Sequence, residues 1–290
     1  MAYTNVEIAL LLLIIGAVVS LVARSWRAAG WAATLFVGAA SVFAWVDALK
    51  VLSTGEVLSG SAVPLARFGS NLVVSLDPLG AGFLLIITGV SFFATLYSVG
   101  YMGIYKQQSP SKFYLLLQLF IAGMIGVVSV ADWLFFIVFW ELMTLASYFL
   151  VTYERSDGTA VRAGFKYFIM THVATAGLLL SAIVLWRTTG SFAFNYHQIG
   201  LAGMSFGLRN LLLALYLIAF ATKAGIFPFG DWLPDAHPAA PSGVSAILSG
   251  VMIKLGAYGV LRIFFDVLGD IGTRTELVTW GTIIAGLGAV

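Results

Sequence analysis

Four ionisable side chains lie inside long apolar stretches of this sequence, and these side chains are the best placed to do chemistry. They are Glu141, Lys166, Lys223 and Lys254, each in a different predicted membrane helix. Burying one charge in hydrocarbon costs about 3 kcal/mol or more unless the group is paired or hydrated. Four such groups in consecutive helices therefore predict a line of ionisable groups across a membrane, as a proton path requires.

Glu141 lies near the middle of the predicted helix Trp133–Thr152. A buried carboxyl group beside a cation is balanced between two protonation states and can take up and release a proton. We expect Glu141 and Lys223 to approach within about 4–8 Å, directly or through water, because an unpaired buried charge is too costly. The alternative is a protonated carboxyl group that only hydrogen-bonds a neighbouring helix.

Lys223 lies five residues before Pro228, in a helix that the sequence cannot continue. Proline removes a helix donor and clashes with the preceding turn, and Gly225 and Gly230 lower helix propensity around it. The sequence therefore predicts an interruption between Lys223 and Pro234. Interrupted membrane helices are tolerated inside protein or beside water, and in transporters they mark ion sites.

Lys254 is as deep in its predicted helix as Lys223, so we expect its ammonium group to stay within the membrane. Lys166 is close to the start of its helix, where extension to the membrane surface is an equal alternative. His172 follows six residues later, about 120° around the helix, so the two side chains should not share a face. His172 is a candidate proton relay, or it hydrogen-bonds a carbonyl.

Two further candidates lie outside the helix interiors. Asp132 should cap the helix that starts at Trp133, and it could also guard a proton entrance. His237 lies in or beside the interrupted segment, as a relay or at an entrance. Together with Asp231 and Asp235 it is a weak signal for a metal site, and we predict no metal.

Composition sets the class of protein. Of 290 residues, 60% are hydrophobic and 10% are charged, with a mean hydropathy of +0.99. Soluble proteins carry about 25% charged residues, so the sequence predicts an all-α polytopic membrane protein. The net charge of +2, without a basic block, argues against nucleic acid as a partner. The absence of cysteine excludes disulfides, iron–sulfur clusters and thiolate metal sites.

A membrane helix needs about 20 apolar residues, and the sequence predicts eight such helices and the start of a ninth. An alternating stretch, SNLVVSL, predicts a short strand outside the membrane. The predicted membrane helices are Val6–Ala23, Gly30–Val46, Pro78–Tyr101, Phe113–Val130, Trp133–Thr152, Arg162–Trp186, an interrupted helix from about Arg209, Ser242–Phe265, and a ninth that starts at Leu277.

Three stretches carry a resemblance to a known family. WLFFIVFWELMTLASYFLV, GFKYFIM and the long run FATKAGIFPFGDWLPDAHPAAPSGVSAILSGVMIKLGAYGVLR resemble the antiporter-like subunits. Those subunits form the membrane arms of respiratory complex I, the multisubunit Na⁺/H⁺ antiporters and the group 4 membrane-bound [NiFe] hydrogenases. The stretch FWELMTLASYFLVTYE is most similar to the branch of hydrogenase-4 component B and formate hydrogenlyase subunit 3. The resemblance extends from about Leu76 to the last residue.

The resemblance implies a fold of two inverted five-helix repeats, each with a broken helix. It implies that Glu141 pairs with Lys223, that Lys166 is the sixth-helix lysine, and that Lys254 is the central relay. It also implies that these subunits hold no redox centre, and that partner subunits carry out electron transfer. Such a subunit has no cofactor of its own.

The sequence departs from the family in its length. The resemblance divides it into flanking helices and an extramembrane loop (1–111), a first repeat of five helices (112–265) and a truncated start of the second repeat (266–290). The rest of the second repeat is absent, so we expect a fragment, or a split gene whose other product supplies the remainder.

We therefore predict the N-terminal part of a proton-translocating subunit in a redox-driven hydrogenase- or complex I-like complex of a prokaryotic plasma membrane. Expected partners are other membrane subunits, including one that supplies the second repeat, a peripheral hydrogenase or dehydrogenase module, and lipid. One alternative is a Na⁺/H⁺ antiporter subunit without a redox partner, and another is a structural membrane anchor. A hydrolase is disfavoured because neither a nucleophile–base spacing nor an HxExxH motif is present.

Overall fold

The computed structural model describes residues 4–23, 25–65, 70–105, 108–154 and 156–289, and most of them are helical. The two strands are β1 (Leu58–Leu65) and β2 (Ser70–Leu76). The helices are α1 (Asn5–Ser20), α2 (Trp26–Thr54), α3 (Pro78–Tyr101), α4 (Pro110–Val128), α5 (Trp133–Val151), α6 (Gly158–Thr189), α7 (Phe194–Gly203), α8 (Phe206–Ala224), α9 (Leu233–Ala239), α10 (Ser242–Ile271) and α11 (Arg274–Gly288).

Seven helices in the described part of the chain are long and apolar enough to cross a membrane: α2, α3, α4, α5, α6, α8 and α10. The predicted number of membrane helices, eight and a partial ninth, is not confirmed. The difference lies in α1, which has 16 residues. Sixteen residues rise only about 24 Å, less than the hydrocarbon thickness of about 30 Å.

The predicted strand SNLVVSL is confirmed as β2. It pairs antiparallel with β1, with Leu58 opposite Leu76 and Leu65 opposite Ser70. The sequence analysis did not predict β1. Backbone hydrogen bonds join the hairpin to the turn between α4 and α5. The same turn also pairs with the residues at the start of α7. We call this side of the bundle the hairpin end.

Helices α5, α6 and α10 meet around the end of α8. In the first half of the chain α2 packs on α1 and α3, while α4 packs on α1 and α5. In the second half α8 packs on α6 and α10, and α6 packs on α5. The side chains of α4 are mostly buried, so α4 lies inside the bundle and links the two halves.

The predicted interruption is present. Helix α8 ends at Ala224, and residues 225–232 form turns before α9 begins at Leu233. Gly225 has φ of 73°, a left-handed conformation that closes a helix at little steric cost only for glycine. Pro228 and Gly230 both lie in the non-helical segment. The amide of Ile226 bonds the carbonyl of Ala221 at 3.0 Å, which completes the helix end.

Helix α10 contains two wide π-helical stretches, Leu248–Met252 and Leu261–Val267. Such widened turns are frequent at functional sites. Between them α10 crosses the last turns of α8 at very short range. A Cβ atom on Gly256 would come within 2.5 Å of the Phe220 carbonyl oxygen and the Ala224 amide nitrogen. Only glycine therefore allows α10 to approach α8 this closely beside Lys223.

Candidate functional site

Lys223 is the buried cation of the site. It lies in the last turn of α8 and is only 1% exposed. Its Nζ donates to Thr144 Oγ1 at 2.8 Å and to the Tyr167 hydroxyl at 3.1 Å. The same nitrogen lies 5.6 Å from the ring centre of Trp140 and 5.4 Å from that of Tyr167. Helices α5, α6 and α8 thus hold the ammonium group inside the bundle with hydroxyl groups and aromatic faces.

The two hydroxyl groups belong to a directed chain of hydrogen bonds. Tyr167 is fully buried, and its hydroxyl lies 2.7 Å from Ser147 Oγ. Ser147 Oγ donates to the Thr144 carbonyl at 2.9 Å, so the Tyr167 hydroxyl can accept from Lys223 and donate to Ser147. Thr144 Oγ1 accepts from Lys223 and donates to the Trp140 carbonyl at 2.8 Å. A proton that leaves Lys223 therefore meets acceptors already aligned with it.

The interruption of α8 fixes this geometry. Trp232, in the non-helical segment, is buried and donates from its indole nitrogen to the Thr222 carbonyl at 2.7 Å. Its ring also packs on Tyr167 with centroids 4.7 Å apart. A carbonyl near the helix end thus gains a partner, and the Tyr167 ring is held in place by the Trp232 ring.

Glu141 does not bond Lys223 directly. Its Oε2 lies 2.9 Å from His172 Nε2, and His172 Nδ1 lies 2.8 Å from the Phe168 carbonyl. The carboxyl group and the imidazole are a quarter to a third exposed, and Glu141 Oε1 has no partner among the described residues. The predicted direct pair is absent because Lys223 reaches Thr144, one turn along α5, and approach through water stays a prediction.

Lys166 is not buried in the membrane interior. Its side chain is 34% exposed, and its Nζ binds Asp231 at 2.7 Å and Asp235 at 2.8 Å. Of the two alternatives for Lys166, the exposed one describes this structure, because α6 turns the side chain toward the carboxylates of the interrupted segment. Lys166 therefore ties α6 to that segment, and its partners differ from those of His172.

Lys254 is exposed on the outer face of α10, so it does not lie inside this bundle, and its expected position within the membrane stays a prediction. Its Nζ donates to the Ser249 carbonyl within its own helix. The inward face of α10 is occupied by Leu255 and Tyr258, both 0% exposed. Depth along a helix and direction around it are separate quantities, and only the depth follows from the sequence.

Asp132 caps α5 as predicted. Its carboxylate accepts from the amide of Leu134 at 2.9 Å and of Phe135 at 3.3 Å, and from Ser70 Oγ of β2 at 2.9 Å. Burial raises the pKa of this carboxyl group above its ordinary value. Asp132 therefore joins the hairpin to α5, and its second predicted role, at a proton entrance, stays a prediction.

The side chains considered for a metal site have other partners. Asp231 and Asp235 bind Lys166, while His237 Nδ1 forms a short hydrogen bond with Ser245 Oγ. His237 lines an open cavity of about 800 Å³ between α9 and the start of α10. No group of three or more His, Asp or Glu side chains in the described ranges could hold a metal ion.

Sequence reasoning missed Thr144, Ser147 and Tyr167. A signal was present in the spacing, because Thr144 follows Glu141 at three residues and Ser147 follows Thr144 at three residues, so each neighbouring pair lies close together on α5. Tyr167 directly follows Lys166 and so faces a different direction on α6. Hydroxyl residues are common in membrane helices, where they bond their own backbone, so the pattern alone does not separate a network from helix packing.

Comparison with known proteins shows two family matches. Residues 130–290 match the family described as NADH:quinone oxidoreductase/Mrp antiporter, transmembrane. Residues 63–114 match the N-terminal region of chain 5 of NADH-ubiquinone oxidoreductase (complex I). The first match covers the whole site, from α5 to α11.

Individual relatives belong to several kinds of complex. Hydrogenase-4 component B of Escherichia coli K12 is 33% identical over 82% of this chain and 34% of its own length. NADH-quinone oxidoreductase subunit M of the same organism is 35% identical over 68% of this chain and 40% of its own length. A chain of the Mrp complex from Dietzia sp. superimposes with a TM-score of 0.79 at 28% identity, over 94% of this chain and 29% of that chain. This chain therefore spans about a third of the length of these relatives.

Proposed function

The chain belongs to the antiporter-like family of membrane subunits that complex I, membrane-bound hydrogenases and Mrp antiporters share, and we propose that it translocates protons in a redox-driven hydrogenase- or complex I-like complex. In the proposal, Lys223 is the proton carrier. Glu141 and His172 exchange protons with it on one side, and Lys254 receives them on the other.

The proposal rests on the environment of Lys223. A lysine that only locked helices together would be expected to bind a carboxylate, as Lys166 does with Asp231 and Asp235. Lys223 is nearly completely buried, and its described hydrogen-bond partners are two neutral hydroxyl groups. The amine can therefore release its proton without leaving a charged partner unpaired in the interior.

The Glu141–His172 pair supplies the second element of the path. A carboxyl group and an imidazole can each accept and donate a proton, and both side chains are partly exposed. The pair can therefore take a proton from water and hold it near Lys223. Movement of the lysine side chain from Thr144 toward Glu141 would complete the transfer.

The exposed position of Lys254 indicates that this face of the chain needs a partner in the membrane. An exposed ammonium group on a membrane helix is costly in lipid, so we propose that another membrane segment or subunit covers this face of α10 and continues the path. Two of the relatives are subunits of hydrogenase and NADH-quinone oxidoreductase complexes by name. For this chain we accordingly propose other membrane subunits and a peripheral hydrogenase or dehydrogenase module as partners.

Sodium–proton exchange without a redox partner is the second candidate, supported by the similarity to the Mrp complex. A sodium site needs several oxygen ligands. The hydroxyl oxygens of Thr144 and Tyr167 are already occupied by the ammonium group of Lys223. The described geometry therefore favours protons over sodium as the ion that is carried.

The test is proton pumping by the assembled complex in inverted membrane vesicles, measured with a pH-sensitive dye in sodium-free buffer. Lys223→Ala and Glu141→Gln should abolish pumping and leave the complex assembled, whereas Lys50→Ala, at the exposed end of α2, should pump normally. Normal pumping by Lys223→Ala would refute the proposal. If the unmodified complex transports no ions in sodium-free buffer, the result would favour sodium exchange.

A further inference from the structure

Four unpaired polar atoms belong to three neighbouring aromatic side chains on α5, α7 and α8. In the described part of the chain, eight buried side-chain nitrogen and oxygen atoms have no hydrogen-bond partner, and four of them belong to Trp133, His197 and Tyr216. The Trp133 ring lies 5.7 Å from that of His197 and 5.2 Å from that of Tyr216, between centroids. All three residues are at most 1% exposed.

This clustering points to a ligand, because buried polar groups in folded proteins nearly always have partners. A lipid or a second subunit cannot reach side chains that are closed off inside this chain. Water is small enough, and buried waters typically bridge two to four polar groups that otherwise have no partner. Half of the unpaired atoms in the described ranges lie in one cluster of rings, as a shared water site would produce.

The chemistry of the three groups suits water. The indole nitrogen of Trp133 can only donate, whereas the hydroxyl group of Tyr216 and a neutral imidazole can each donate and accept. Burial lowers the pKa of His197 to about 3, so its imidazole stays neutral and keeps an acceptor nitrogen. A water molecule among these groups can therefore make three hydrogen bonds, by accepting from the Trp133 indole and bonding the Tyr216 hydroxyl and one ring nitrogen of His197.

Aromatic rings separate this cluster from Lys223. The ring of Phe136 lies 5.1 Å from Trp133, and that of Phe220 lies 6.1 Å from Tyr216. Both rings then contact Trp140, at 5.5 Å and 5.7 Å. The Lys223 Nζ lies over the far side of this layer, 5.6 Å from the Trp140 ring centre.

We propose that Trp133, His197 and Tyr216 bind water in an internal chamber, and that Phe136, Trp140 and Phe220 seal this chamber from Lys223. Apolar constrictions block conduction by excluding water. The role of the seal rests on the proposed proton translocation, because a wet route from the hairpin end would let protons bypass the driven step. The binding of water does not depend on that proposal.

Hydroxyl-radical footprinting by X-ray radiolysis of the assembled complex tests the chamber, because bound water generates radicals in place. Trp133 should be modified several times faster than Trp232, which is equally buried but donates its indole hydrogen to the Thr222 carbonyl at 2.7 Å. Tyr216 should likewise exceed the equally buried Tyr258, whose hydroxyl accepts from Arg262 at 2.9 Å. Equal rates within both pairs would overturn the chamber.

The double substitution His197→Phe with Tyr216→Phe should lower the modification of Trp133 to the rate of Trp232 and leave Trp232 unchanged. An unchanged fast rate at Trp133 would overturn the assignment of the water to these residues. If the double variant does not assemble, the comparison within the unmodified complex decides the question alone.

Passive proton leak through the resting complex in vesicles tests the seal. Phe220→Ala should raise the leak several-fold, whereas Phe220→Leu and the outward-facing control Phe93→Ala should leave it unchanged. Phe93 is 65% exposed on α3 and has no place in the layer. An unchanged leak in assembled Phe220→Ala complex would overturn the seal. Because no redox drive is used, this result is independent of whether Lys223 pumps.

Discussion

At the scale of single residues, the direction in which each lysine points distinguishes its role. Lys166 binds two carboxylates at the surface, Lys254 faces outward, and Lys223 alone among these three is enclosed with hydroxyl partners. An enclosed ammonium group next to neutral acceptors is the arrangement that suits a carrier. Lys166 joins α6 to the interrupted segment through its two carboxylate partners, which suits a positioning role.

The hydroxyl group of Tyr167 provides a residue-scale prediction. Tyr167→Phe keeps the aromatic face under Lys223 and removes the link to Ser147. A hydrogen bond of about 1–1.5 kcal/mol corresponds to a pumping rate about five to ten times lower. The measurement is the initial rate of dye response in vesicles at equal electron-transfer rates. Tyr148→Phe, a half-buried tyrosine on α5, is the control, and equal rates in both variants would contradict a role for this hydroxyl.

The sequence predicted which residues are ionisable and how deep they lie, but not where they point. Glu141 and Lys223 were found because a charge in an apolar stretch is conspicuous. The partners of Lys223 were not found, because serine, threonine and tyrosine are common in membrane helices and only tertiary packing brings three of them together. The outward direction of Lys254 likewise depends on which neighbours α10 meets.

At the scale of elements, the end of α8 and the close crossing of α10 build the site together. The interruption was predictable because proline and glycine act through local sterics, which the sequence shows directly. The π-helical stretches of α10 and strand β1 were not predicted, since neither has a comparable local signal. The approach of α10 to the backbone of α8 requires glycine at position 256, and this gives the second prediction.

Gly256→Ala should destabilise the protein by about 1–3 kcal/mol, the usual cost of overpacking, because its Cβ atom would meet the α8 backbone at 2.5 Å. Gly269→Ala, on the same helix with open space around it, should be neutral or slightly stabilising. Thermal unfolding in detergent measures both. A melting temperature for Gly256→Ala as high as that of Gly269→Ala would show that α8 and α10 separate freely.

A second pair of elements, α3 and α10, is joined by an ion pair with a predicted pH dependence. Arg262 donates to both oxygens of Asp77, which also caps α3 through the Gly80 amide at 2.8 Å. Burial alone would raise the pKa of Asp77, but the hydrogen bond and charge of Arg262 outweigh it, so the pKa is below its ordinary value of 3.8. The stability from this pair is therefore fully present above that value and is lost as the pH falls through the lowered pKa.

Asp77→Asn keeps a side chain that can cap α3 and removes the charge. We expect it to lower the melting temperature by a few degrees at pH 7, and this difference should shrink as the pH falls below 3.8 and through the lowered pKa, where the carboxyl group of the unmodified protein gains its proton. Melting curves of both proteins across this pH range are the measurement. A difference that stays constant as the pH falls from 7 through this range would show that the charge of Asp77 adds nothing.

At the scale of the whole molecule, the exposed face of α10 is the feature that calls for another chain or segment. The similarity to the matched relatives covers only 34% and 40% of their lengths. We predict that Lys254 is covered in the complete complex. A membrane-permeant amine reagent should label it several-fold more slowly in the complex than in the isolated chain, with Lys50 as an exposed reference. Equal labelling of Lys254 in both states would mean that this face meets lipid.

The most direct test of the account is the substitution Lys223→Arg in the assembled complex, with electron transfer and proton pumping measured in the same vesicles. Arginine keeps the positive charge and can donate to the same hydroxyl groups, but it does not release its proton at working pH. The account predicts assembled complex whose proton pumping is lost, while Lys50→Arg pumps normally. If Lys223→Arg pumps at an unchanged ratio of protons to electrons, Lys223 acts as a fixed charge, and the proposed carrier is contradicted.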